Sequence, residues 1–157
     1  MCLISKNVKE ILKEDLLVYK AGNISQCNNF YVSPYQRFTL PFNKLCNDEV
    51  YEIVNIVSGG TFLIGQGFFH SFLDKESVEK WQKAQGLISN GIYRCHSYKC
   101  IIPKGTICYK GVFKFIDAYH NGSISICNAI ASKSIIVLNK EFDGYKEILS
   151  EYNLRSI

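Results

Sequence analysis

The apolar runs of this chain are short, aromatic and β-branched, and turn residues break nearly all of them before a helix could develop. Leu16 to Lys20, Phe30 to Val32, Gln36 to Phe42, Glu49 to Val57, Thr61 to Phe72, Gly91 to Ile102, Thr106 to Ile116, Ser123 to Cys127 and Ser134 to Leu138 read as strands or strand regions. Pro34 and Pro41 mark short or edge strands, because proline cannot donate to a ladder. Pro103-Lys104-Gly105 is a turn, and Asn121-Gly122 is a type I′ signal that joins its neighbours as a hairpin. Regular helical crossovers are missing from this order. The expected class is therefore α+β, with a curved, mostly antiparallel sheet and a few short helices packed on it.

Three segments carry helix signals. Asp74 can cap a helix over Lys75 to Gln85 that Gly86 ends, and Val78, Trp81 and Gln85 lie along one side of it, so Trp81 is expected against the sheet. Asn7-Val8-Lys9-Glu10 fits a capping box and predicts a short helix to about Lys13. A closing helix is predicted over Tyr145 to Tyr152 after Asp143.

At 157 residues, 47% of them hydrophobic and 13% aromatic, the chain suffices for one domain, 1–157, with a sizeable core. The balance of 18 basic and 14 acidic residues, +4, tilts the choice of partner toward an anion but is too mild for nucleic acid. Seven cysteines, an odd number without a CxxC pair, read as reduced thiols. No apolar stretch escapes interruption long enough for a membrane span, and the start lacks a signal peptide, so a cytoplasmic protein is expected.

Tyr19-Lys20, Arg37, His70-Ser71 and Arg94 are the ring and cation types that suit a nucleotide, in which a ring stacks on the base and a cation holds phosphate. Gly65-x-Gly67 before His70-Ser71 and a capped helix adds a candidate anion site, without the Gly-Lys-Ser/Thr ending of a phosphate loop or the third glycine of a dinucleotide fingerprint. The bland alternatives are glycines that relieve strand curvature and rings that fill a half-buried sheet face. Arg94, His96, Lys99, Lys104 and Lys110 form a modest basic strip, for which a solvated β face is the commoner explanation. No metal cluster and no complete nucleophile-base pair is visible, and no cofactor is expected.

Four fragments carry a resemblance: Met1-Cys2-Leu3-Ile4, Val18-Tyr19-Lys20, Gly67-Phe68-Phe69-His70-Ser71-Phe72, and Cys100 to Thr106 before Ala131 to Ile136. Together they resemble a family of short uncharacterised proteins of gut bacteria and their bacteriophages, which implies a phage-host setting and no particular chemistry. Cys2, exposed once Met1 is removed, resembles the start of N-terminal-nucleophile amidotransferases and of proteins that crosslink to abasic DNA, although Leu3 stands where the former have Gly. Tyr19-Lys20 and Ser71 before a helix also look like a degenerate ADP-ribosyltransferase core, in which Ser134 to Leu138 lacks the carboxylate that family needs. The expected function is non-enzymatic capture of an anionic, nucleotide-like small molecule. The rivals are an enzyme of either kind and a domain that binds a host protein; self-association stays open.

Overall fold

Sixteen elements follow one another along the chain in a computed structural model that describes residues 3–25, 30–34, 38–57, 59–89, 92, 93, 95–117 and 122–139. The first nine are the strands β1 (Leu3–Ser5), β2 (Glu10–Ile11), β3 (Leu16–Ile24), β4 (Phe30–Val32), β5 (Thr39–Pro41), β6 (Leu45–Asn47), β7 (Val54–Val57), β8 (Thr61–Ile64) and β9 (Phe69–Phe72). Helix α1 (Lys75–Ala84) comes next. After it come β10 (Ile88–Ser89), β11 (Ile92–Tyr93), β12 (His96–Ile102), β13 (Ile107–Asp117), β14 (Ser123–Ser132) and β15 (Ser134–Val137). Thirteen strands share one sheet whose main path is β6-β15-β12-β3-β9-β14-β13-β1-β8-β7, and every pairing between named strands is antiparallel.

The curl of the sheet follows from one connection. Lys133 alone joins β14 to β15, yet β9, β3 and β12 lie between those two strands in the sheet, so the five-strand segment must bend round until its ends meet. Main-chain bonds lock the meeting point: the Lys133 N–H donates to the Ile107 carbonyl, and the Asp48 N–H to the Lys133 carbonyl. One core cluster lines this segment with Val18, Phe69, Tyr98, Cys100, Ile130 and Ile135. A second cluster on the other face includes Leu3, Ile64, Phe72 and Phe113, and α1 covers it with Val78, Trp81 and Ala84. Burial of each large side chain contributes roughly 1.5 to 3 kcal/mol, so the two clusters supply most of what opposes chain entropy.

Helix α1 forms where its capping residues predict. The Asp74 carboxylate accepts from the Ser77 N–H at 2.6 Å, and Gly86, at φ 68°, ends the helix while the Gly86 and Leu87 N–H groups reach back to Lys83 and Gln82. Trp81 is buried against the sheet, as its stripe predicts, with its ring 5.7 Å from that of Phe72.

Residues 7–13 depart from expectation. The capping box does not start a helix there: Glu10–Ile11 is β2 and pairs with Cys108 and Ile107 of β13. The local cap is outweighed by a ladder to a strand about a hundred residues away, which also lets the Leu12 N–H donate to the Thr106 carbonyl. The strand read over Glu49 to Val57 shortens to Val54–Val57, and β3 and β14 run beyond their expected ends to Ile24 and Ser132. The hairpin of β13 and β14 is present, with its ladder running to Asp117↔Ser123. Asn121 lies outside the described residues, as does the helix expected over Tyr145 to Tyr152. Among the described residues α1 is the single helix, so the sheet carries the fold more completely than a few packed helices would imply. No helix among them is long and apolar enough to cross a membrane. The five described cysteines, Cys46, Cys95, Cys100, Cys108 and Cys127, are thiols.

Candidate functional site

Strands β3 and β9 are neighbours in the sheet but meet at one register pair, Tyr19↔Phe72. Continued antiparallel pairing would set Lys20 opposite Ser71 and then Ala21 opposite His70. Side chains take those main-chain positions instead. The Lys20 ammonium donates to the His70 carbonyl at 2.5 Å, and the Tyr31 hydroxyl donates to the Ala21 carbonyl at 2.5 Å. The two strands therefore separate with their backbone acceptors satisfied, at the cost of a lysine drawn into the wall.

A cavity of about 1200 Å³ opens at this separation. Its walls come from both cores: Tyr31, Phe38 and Phe69 on one side, Phe72, Trp81 and Phe113 on the other. The volume exceeds the few hundred Å³ that a drug-sized ligand needs. Lys20 is 6% exposed, and its amine stands 5.9 Å from the Tyr31 ring centre and 5.6 Å from that of Phe38. Burial lowers its pKa to about 8, because a desolvated ammonium has lost its water, while the neighbouring Cys100 thiol raises it by less. The same burial pushes the Cys100 thiol up to about 12, which leaves it protonated and inert.

His70 lines the cavity with its ring 5.8 Å from Phe113. Ser71 and Tyr19 point elsewhere. The Ser71 hydroxyl is fully buried and has no hydrogen-bond partner among the described residues, so it makes no nucleophile-base pair with the Lys20 amine. Half-buried Tyr19 packs on the cluster that α1 covers. The structure thus brings Lys20 and His70 together at the cavity and leaves Ser71 and Tyr19 off its wall. Arg37, Arg94 and Cys2 lie outside the described residues.

Several wall residues carried no signal in the sequence. Asp48 and Glu49, the latter read as the start of a strand, line the cavity, as does Lys114 of β13. Gly67 lines it too, and the reason for glycine there is double: φ is +93°, and a Cβ would stand 2.7 Å from the Glu52 Cα. Its carbonyl accepts from the Lys133 amine at 2.7 Å, and Lys133 also pairs with Glu52 at 3.6 Å. The glycine segment therefore serves as a close backbone contact that fixes the 48–52 wall. Among the described residues no group of three or more His, Cys, Asp or Glu converges on a metal-sized site. Comparison with protein-family models, curated proteins and solved structures finds no match to this chain.

Proposed function

We propose that this chain is a binding protein that encloses an anionic, nucleotide-like small molecule in the cavity between β3 and β9 and returns it unchanged. The observation that carries this reading is the Lys20 amine, desolvated in an aromatic wall with a carbonyl and two ring faces for company. A buried ammonium that keeps only neutral partners is electrostatically unfinished, and a ligand oxyanion supplies what burial removed. The rings of Phe72, Phe113 and Trp81 offer a planar group the apolar area it needs. The resemblance to short phage and gut-bacterial proteins would make such capture a way of withdrawing a signal molecule from the host.

Calorimetry against a panel of linear and cyclic nucleotides, followed by recovery of the bound molecule and its mass, tests the reading. Binding of an intact nucleotide is expected, and Lys20→Met should weaken it by about 1.5 to 3 kcal/mol, the range for a charged hydrogen bond. Recovery of a cleaved or transferred product would replace capture by catalysis, and absence of binding across the panel would end the reading. A second reading, docking of a host protein, draws on the outer face of the β13–β14 hairpin, where Ile116, Ile124 and Ile126 stand exposed together. Stable pull-down of a protein that Ile124→Lys abolishes would favour it.

A further inference from the structure

Among the described residues Lys20 is the only buried lysine, and no carboxylate pairs with it. One of its N–H groups donates to the His70 carbonyl, and the amine otherwise meets the ring faces of Tyr31 and Phe38. The titratable groups set against it are kept neutral as well, because burial raises both the Tyr31 hydroxyl and the Cys100 thiol. An ammonium with neither water nor a counter-charge favours its neutral form, and the pKa falls to about 8. At about pH 7.4 roughly one amine in five is then the free base, against about one in a thousand for a lysine at 10.5.

A neutral amine on an apolar cavity wall is a nucleophile toward carbonyl carbon. The cavity gives a carbonyl compound room to lie beside it: the volume is about 1200 Å³, and Phe69, Phe72 and Phe113 present ring surface to a planar skeleton. Cys100, held protonated near the amine, does not compete with it.

We propose that Lys20 holds an aromatic or conjugated aldehyde in this cavity as a reversible Schiff base. The amine nitrogen adds its lone pair to the carbonyl carbon, the carbonyl oxygen takes up a proton, and loss of that oxygen as water leaves a C=N bond. The net exchange is amine and aldehyde for imine and water, with no oxidant or reductant consumed. Protonated from solvent, the imine keeps one N–H, which is all that the bond to the His70 carbonyl requires. Its charge stays where the ammonium's was, beside the two rings. The adduct therefore forms without giving up the contact that ties β3 to β9. A phosphate takes the charged amine and an aldehyde the neutral one, so the two occupants are independent.

The test exposes the full chain to 2-naphthaldehyde at about pH 7.4, with cyanoborohydride to fix any imine as a secondary amine and peptide mass mapping to locate it. Lys20 is expected to be labelled at least about tenfold faster than exposed Lys75 and Lys104. Saturating 2-naphthalenemethanol, which offers the same rings without a carbonyl, should slow labelling of Lys20 about fivefold or more and leave Lys75 unchanged. In urea, where the amine regains its water, the preference for Lys20 should vanish. Equal labelling of Lys20 and Lys75 in the folded chain, or a Lys20 rate that the alcohol does not change, would overturn this inference while leaving nucleotide capture standing. A protected Lys20 adduct in a chain that binds no nucleotide would support the aldehyde and end the capture reading.

Discussion

Lys20 makes a sharp test of how the fold handles a buried charge. In the folded chain its ammonium titrates at about 8 because burial strips its water, against 10.5 for an exposed lysine. Between those values the unfolded chain holds the proton more firmly than the native one, so Lys20 destabilises the fold fully below about pH 8 and progressively less as pH rises toward 10.5. The shift of 10.5 − 8 is about 2.5 units, or about 3 kcal/mol at 1.36 kcal/mol per unit. Lys20→Met removes this dependence and also removes the bond to the His70 carbonyl, leaving that acceptor at a cost of about 1 to 3 kcal/mol. The two effects are of similar size, so the variant's stability at one pH says little; its trend with pH says much. Integration predicts that the wild type gains about 1 kcal/mol on the variant from pH 7 to pH 9. Cys100 and Cys108, raised to about 12 and about 11, contribute with the opposite sign above the ordinary thiol value. They are common to both proteins, so the difference largely cancels them. Urea titrations of both proteins at half-unit steps measure the trend. A difference flat to within about 0.3 kcal/mol, or one that falls with pH, would refute the assignment of Lys20 as a desolvated cation.

Trp81→Ala should cost about 3 to 5 kcal/mol in denaturant melts, since its indole is buried between α1 and Phe72; a loss under about 1 kcal/mol would show that α1 does not depend on that face. Thiol titration without reductant should find at least five reactive thiols after denaturation, and native protein should label Cys46 well before buried Cys95, Cys100, Cys108 and Cys127; detection of a disulfide among these five would contradict the structure.

What could be read from the chain alone was whatever short-range chemistry decides. Helix α1 was legible end to end because Asp74 and Gly86 act on groups within a few residues, and Trp81 pointed inward because helical spacing leaves little choice. The hairpin of β13 and β14 and the antiparallel character of the sheet followed from turn residues and missing crossovers in the same way. Where a distant partner competed, the local reading lost: Asn7 to Glu10 has the letters of a capping box, but β13 claims Glu10 and Ile11 as a strand. Lys20 and His70 were selected by residue type, and nothing in the sequence placed them on one wall. Their meeting depends on β3 and β9 parting after Tyr19↔Phe72 and on the Lys20 amine reaching the His70 carbonyl across the gap, a contact between residues fifty apart in the chain. Asp48 and Glu49 reach the same cavity only because Asp48 bonds to Lys133, eighty-five residues away, so their role was invisible until the sheet had closed.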